Sequence, residues 1–283
     1  MAPRRKIKQR EAQLAFEALT IEGGLLSPDW LARVAQLTAG DQAEADYRVP
    51  KGLNLRDEIG RYWRVAQAHW ADFAAGASSK AAPHVVAEKL VTALLREVFG
   101  FTSLAPSAEP QVVEGRQYPV GHFALGKRVP VVIAPAAGGL DVAAPEFGDE
   151  SRRRTAFGLC QEYLNAEPGS LWGLVCDGAT LRILRDNASL TRPAWIEASL
   201  ERIFTEERYS DFAALWLLVH ETRFGRPDQP VSECALEILA QRRPRGGHPR
   251  PRAPALRRRG GADRARAGLP HASREHGAAF GAP

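Results

Sequence analysis

LWGLVCDGATLRILRDNASL, Leu171 to Leu190, sets two apolar, strand-like runs on either side of Asp177-Gly178. An Asp-Gly pair between such runs is a strong signal for a β-hairpin, because the tight turn needs positions that tolerate a positive φ. Alternation along the second run puts Leu181 and Ile183 on one face. That run also carries Arg182 and Arg185, with Asn187 just after it and Arg192 in the following loop. Two readings of these polar side chains stay open. They can contact phosphates, or they can pair with nearby acids such as Asp177, Asp186 and Glu197 and brace the next helix.

Outward from the hairpin, the pattern alternates between strand and helix. KRVPVVIAP, Lys127 to Pro135, is a compact β-branched run suited to a buried strand. QVVEG and YPVGHFALG before it read as weaker strands. SRRRTAFGLCQEYLNAE returns to helix, with Phe157, Cys160 and Leu164 on one side. Further upstream, NLRDEIGRYWRVAQAHWADFAAG opens a long helix at Asn54. Leu55, Ile59, Tyr62, Ala66, Trp70 and Phe73 form its single apolar face, and Asp57 and Glu58 suit its positive end. HVVAEKLVTALLREVFGF is a second amphipathic helix, built on Val86, Leu90, Leu94 and Val98 and stopped at Gly100.

Residues 11–45 read as helical, with Ser27 as a cap and Pro28 at the first helical position. At the other end, WIEASLERIFTEERYSDFAALWLLVHETRF reads as one or two helices, the last nearly apolar throughout. The class this order implies is α+β, with an N-terminal helical extension before a mixed β core with flanking helices. The expected organisation is a helical arm over 1–50, an α/β domain over 51–240 with helices at 54–76 and 211–224, and a tail over 241–283.

The charge balance separates the tail from the body. Net charge is +5, yet Gln241 to Pro283 hold eleven arginines against one aspartate and one glutamate, a net +9. The preceding 240 residues therefore carry 27 basic and 31 acidic side chains, a net −4. The basic pI belongs to the tail and lends no support to DNA binding by the folded part. The tail is rich in Arg, Pro, Gly and Ala, without periodic hydrophobes, a disordered composition. It reads either as a basic arm or as an out-of-frame translation. GLPHASREHGAAFGAP can be encoded by a GC-rich sequence that, shifted by one nucleotide, gives GFLTHPENTALRSAL, and the frameshift is the reading adopted. Cys160, Cys176 and Cys234 are scattered and lack any CxxC spacing, which points to a reducing compartment and away from a zinc site. With no bilayer-length apolar run and no signal-peptide core, the expectation is a cytoplasmic chain with no membrane partner.

A family resemblance follows from the order of segments. YPVGHFALGKRVPVVIAP, a loop with Leu140-Asp141, a helix with QEYLN, then LWGLVCDGATLRILRDNASL resembles the N-terminal region of type IIG-like, adenine-specific DNA methyltransferases of restriction–modification and phage-defence systems. RDEIGRYWRVAQAHWADF and FAALWLLVHETRF resemble them too, so the likeness covers roughly residues 15–235. It implies a parent protein with a nuclease-like N-terminal domain, a helical region, an S-adenosylmethionine-dependent methyltransferase domain acting at adenine N6, and a target-recognition domain.

The same segment order resembles the PD-(D/E)xK endonuclease fold. There an Asp and a Glu-x-Lys on adjacent strand ends hold magnesium and activate water. Aligned on that pattern, Ile133 stands at the carboxylate position, Pro135 at the lysine position, and Gly121 and His122 in place of the Asp. Cleavage is therefore not expected unless Asp141, Glu162 or Glu88 forms a migrated metal site. The plainer reading makes these a turn aspartate and two solvated helix carboxylates. Gln161, on the helix implied to face the cleft, joins Arg182, Arg185, Asn187 and Arg192 as a DNA-contact candidate.

A methyltransferase also needs a Gly-rich turn for its cofactor and an Asn/Asp-Pro-Pro-Tyr/Phe loop for the flipped base. Neither occurs in this chain. The expectation is an N-terminal fragment that contacts DNA or serves as a scaffold, its methyltransferase and target-recognition domains encoded elsewhere. Two alternatives are a metal-dependent endonuclease and a protein-interaction module that docks on another defence subunit. No cofactor is expected in the chain itself; magnesium enters only if the nuclease core is active.

Overall fold

The computed structural model describes residues 16–26, 28–136, 138–148, 152–186 and 193–241. Asn187, Arg192, Ser27 and the tail beyond Gln241 lie outside the described residues. The opening hairpin supplies the centre of the molecule. Strands β9 (Trp172–Cys176) and β10 (Thr180–Arg185) pair antiparallel, Leu181 opposite Cys176 and Ile183 opposite Leu174. The register centres the turn on Gly178–Ala179, one residue later than the Asp-Gly pair suggests. Gly178, at φ +90°, takes the first central position, which suits a type II′ turn. Asp177 closes the turn, its Oδ1 accepting from the amides of Ala179 at 3.0 Å and Thr180 at 2.8 Å. A Cβ on Gly178 would lie 2.6 Å from the Phe73 ring, so the close approach of helix α2 (Leu55–Ala77) also requires glycine.

The sheet has seven strands in the order β1-β11-β10-β9-β6-β5-β2. Its members besides the hairpin are β1 (Leu19–Glu22), β2 (Ala105–Pro106), β5 (His122–Ala124), β6 (Val129–Ile133) and β11 (Ala194–Ser199). Two small ladders stand apart: β3 (Gln111–Val113) with β4 (Arg116–Tyr118), and β7 (Ala143–Ala144) with β8 (Arg154–Thr155). All neighbours in the main sheet run antiparallel except β6 and β9, which are parallel and joined through helix α4 (Ala156–Ala166). A parallel pair needs such a crossover. Thr155 caps α4, its hydroxyl accepting from Gly158 N at 2.8 Å.

Register sorts the side chains into two faces. Val131, Leu174, Ile183 and Ile196 form one row and join the larger core. Helices α1 (Pro28–Ala35), α2, α3 (Pro83–Ala93) and α6 (Tyr209–Val219) contribute to that core. Val132, Val175 and Leu184 face the other way, into a second core with Leu159, Cys160 and Leu164 of α4. The result is helices on both faces of a mixed sheet, an α+β fold as expected. The apolar face read for α2 holds, and Asn54 caps it by accepting from Arg56 N at 2.8 Å. Val86, Leu90, Leu94 and Val98 are likewise buried.

Four expectations need correction. The described part of the expected helical arm over 1–50 is not one: Leu19–Glu22 is a strand, extending the sheet beside β11, and Gly23 and Gly24 turn the chain at φ +65° and +64°. Tyr47 donates its hydroxyl to Leu217 O at 3.1 Å, so this segment belongs to the same fold. The WIEAS run is β11, not helix. Ala194, Ile196 and Ala198 face the larger core while Trp195, Glu197 and Ser199 alternate to the α4 side, a period of two that the helical reading overlooked. Helix α5 (Leu200–Thr205) begins only after Ser199, whose Oγ accepts from Arg202 N at 3.2 Å.

Finally, the expected helix 211–224 is α6 ending at Val219, followed by a 3-10 turn over Glu221–Phe224. His220 adopts an extended ψ of 135°, and Glu221 N donates to Phe99 O at 2.8 Å. That long-range bond replaces a helical one. The second amphipathic helix also divides, into α3 and a π-helical turn over Leu94–Val98, before Gly100 ends it at φ +80°. Helix α7 (Ala235–Gln241) closes the described chain.

Candidate functional site

Arg182 lies on the α4 face of the sheet, between the rings of Phe157 and Trp195, each with its centroid 5.3 Å from the guanidinium carbon. Its Nε donates to Glu197 at 2.5 Å, and its two terminal nitrogens donate to the two Asp141 oxygens at 2.7 Å each. Glu197 stands directly opposite it on β11. The Arg182 side chain is 12% exposed, while Asp141 is 64% exposed. The Arg182 guanidinium holds the Asp141 carboxyl below the usual carboxylate range. Asp141 therefore straps the loop after β6 across the sheet.

Arg185 makes a second fork. Its Nε and Nη2 reach the two oxygens of Glu237 at 2.8 Å each, and its Nη1 donates to Asp186 O at 3.0 Å. Glu237 is 1% exposed, so this pair locks α7 against β10. Burial pushes the Glu237 carboxyl up, but Arg185 and Gln241 outweigh it and the net shift is downward. Gln161 is buried, its amide nitrogen donating to Asn165 Oδ1 and Arg185 O, both at 3.2 Å. Among the hairpin candidates that are described, each polar head is thus engaged inside the protein, which is the pairing alternative.

The three acids considered for a metal do not meet. Glu162 on α4 accepts from Arg154 Nε at 3.0 Å and from Arg152. Asp141 belongs to Arg182. Glu88, on α3, faces His122 across the other side of the sheet, its Oε1 3.2 Å from Nε2. His122 is opposite Val131 in the β5–β6 register, so it shares a face with Val131 and Ile133. This is the place where the resemblance aligns the Asp and the Glu-x-Lys. The donor set there does not fit magnesium, which takes oxygen ligands. Ile133 and Pro135 offer no side-chain donor, and His122 offers a nitrogen. Among the described residues no group of three or more His, Cys, Asp or Glu could hold a metal ion.

What does gather at that place is a groove of about 360 Å³ between α3 and the β2–β5 edge, lined by Val85, Glu88, Lys89, Thr92, Arg96, Pro106 and His122. The His122 side chain is 10% exposed and forms its wall. Burial pulls its pKa down, and nearby Arg96 adds to that against the pull of Glu88. Its Nδ1 is buried without a protein partner. Nε2 is the ring nitrogen that approaches Glu88 Oε1, at 3.2 Å. Arg96 rides on the π-helical turn and is pinned by an Nη2 bond to Leu104 O at 2.9 Å. Lys89 approaches Asp72 at 3.7 Å, but both are largely exposed, so the pair is weak and exchangeable.

Sequence reading named Glu88 and His122 separately and missed that they pair. It also missed Lys89 and Arg96. The spacing of Val85, Glu88, Lys89, Thr92 and Arg96 along the exposed side of α3 and the π-helical turn after it was the available signal. Arg128 and Arg223 were missed as well. Arg128 donates to the carbonyls of Phe224, Arg226, Gln229 and Pro230, and Arg223 to those of Asp41 and Asp46. Both are structural.

The structure thus defines an α+β protein that carries, among its described residues, an open polar groove between α3 and β5. Comparison of the chain with family models, with curated proteins and with solved structures finds no match. Among the described residues no helix is long and apolar enough to cross a membrane.

Proposed function

We propose that this chain is the nuclease-like N-terminal region of an adenine-specific DNA methyltransferase of a restriction–modification or phage-defence system, acting in the cytoplasm. In this reading it contacts DNA or serves as a scaffold and does not cleave. The observation that carries the reading is the order α3, β2–β5–β6 meander, crossover helix α4, then β9 parallel to β6. That is the arrangement the resemblance implies for a PD-(D/E)xK core, with a groove at the strand ends where its chemistry would lie. Ile133, Pro135 and His122 at that place favour a core stripped of its metal ligands. S-adenosylmethionine belongs to the parent's methyltransferase domain.

The test is a gel shift with duplex and single-stranded DNA over rising salt, alongside a nicking assay with magnesium or manganese. Binding that weakens steeply with salt, without cleavage, supports the proposal. Cleavage abolished by Glu88→Ala would transfer it to the endonuclease reading. A protein-docking module is the second reading, favoured by the net −4 body and the internal pairing of Arg182 and Arg185. Absence of DNA binding at low salt would select it. Methyltransferase motifs in the genomic DNA downstream, read in three frames, would establish the parentage.

A further inference from the structure

The α3–β5 groove holds opposite charges in fixed places. The Glu88 carboxylate is 48% exposed and lines the groove, with Oε1 3.2 Å from Nε2 of the buried His122 ring and its other oxygen left to act as an acceptor. Lys89 and Arg96 supply cations. Glu88 and Arg96 are eight residues apart on one helical run, about 12 Å along the axis at 1.5 Å per residue, a span the two ends of one nucleotide can bridge. A simple phosphate is a poor match, because Glu88 would repel it. A ligand with an anionic group at one end and a hydrogen-bond donor at the other complements Glu88, Lys89 and Arg96, the three charged groups of the groove.

We propose that this groove binds one nucleotide of a DNA strand, its phosphate toward Arg96 and Lys89 and the exocyclic amine of an unpaired adenine or cytosine donating to Glu88. The proposal rests on the DNA-contact reading above and adds a chemical preference to it. Carboxylates accept from base amines such as cytosine N4, whereas thymine presents an acceptor, O4, and its N3–H, flanked by two carbonyl oxygens that repel a carboxylate. Base discrimination therefore comes from Glu88, and base-independent affinity from the two cations. His122 is a positioning residue: it holds the carboxylate without touching the nucleotide.

The experiment measures fluorescence anisotropy of labelled dA, dC and dT homopolymers of about 12 nucleotides, within the usual single-strand footprint. Wild-type protein is expected to bind dT roughly 5- to 100-fold more weakly than dA and dC, the range that one good base contact gives. Glu88→Gln, whose amide can also donate to O4, should erase the difference while circular dichroism stays unchanged. Lys89→Ala and Arg96→Ala should weaken all three polymers alike and lower the slope of log affinity against log salt by about 0.7 each. Equal binding of the three homopolymers by wild type, or a preference that survives Glu88→Gln, overturns the proposal and leaves the DNA-contact reading standing. No binding to any DNA at low salt overturns both.

Discussion

The hairpin side of the sheet and the α3–β5 groove both bring arginines close to acids, yet they handle charge in opposite ways. Around the hairpin each guanidinium meets its carboxylates face on. Arg182 is held by Asp141 and Glu197 between two aromatic rings, and Arg185 is forked onto buried Glu237. Both described arginines are spent, so the region behaves as a fastener for the β6–α4 loop and for α7. In the groove, His122 orients Glu88 while Lys89 and Arg96 keep donors turned to water. Counting charged residues would rank the hairpin as the better candidate interface. The geometry reverses that order, because a charge already desolvated and paired has little left to offer a partner.

The largest effect should come from breaking the buried fork. Arg185→Ala leaves Glu237 charged and nearly fully enclosed, and should cost about 3–5 kcal/mol in urea unfolding. Replacing both residues by apolar ones of similar volume should cost much less. If Arg185→Ala moved the midpoint no more than an ordinary surface change does, the closed character of the hairpin side would be refuted.

Acid titration probes two histidines, one buried at the end of α6 and one in the wall of the groove. His220 is buried beside Trp216 and Tyr47, with Arg223 and Arg48 near it; burial first, then those charges, pull its pKa down to about 3. The unfolded ring takes a proton near pH 6.5 and the folded one only near 3, so the unfolded state binds more protons in between. Stability must fall as pH drops through that window, by on the order of 3 kcal/mol at pH 4. His122 shifts in the same direction and adds to the loss. Asp141 and Glu237, whose carboxyls are lowered, contribute stability that disappears only at more acid pH. Urea midpoints between pH 6.5 and 5 therefore isolate the histidines. His220→Gln should flatten most of that slope, and a flat wild-type profile would contradict the burial of this ring.

Asp141→Ala tests the strap at its exposed end. Arg182 keeps Glu197, so the expected loss is about 1 kcal/mol, with faster hydrogen exchange confined to the loop after β6. A loss several times larger would mean the strap organises the sheet itself. The smallest change is Glu88→Gln, expected within about 0.5 kcal/mol of wild type because the group is half exposed. Its effect should appear in ligand preference alone, which is the sharpest contrast with Arg185.

Much of this was legible in the sequence wherever one local pattern dominates. The apolar stripe of α2 has Asn54 before it, the β-branched run of β6 is bounded by Lys127 and Pro135, and the hairpin announces itself at Asp177-Gly178. Short segments with two patterns were misread. Leu19–Glu22 follows a helix-favouring stretch, and Ala194–Ser199 leads straight into α5. Both are strands because a neighbouring strand offers hydrogen bonds that the local sequence does not reveal. The fate of Arg185 was not legible at all, since Glu237 lies 52 residues downstream and reaches it only after α7 folds back.

By itself the sequence determined the α+β class, the strands and helices with strong periodicity, and the lack of carboxylate and lysine at Ile133 and Pro135. Periodicity and side-chain chemistry are properties of the chain alone. Which charges are spent and which remain open was decided only in three dimensions. Electrostatic strength depends on distance and solvent access, and both are set by contacts between residues far apart along the chain: Arg182 with Asp141, Arg185 with Glu237, and His122 with Glu88.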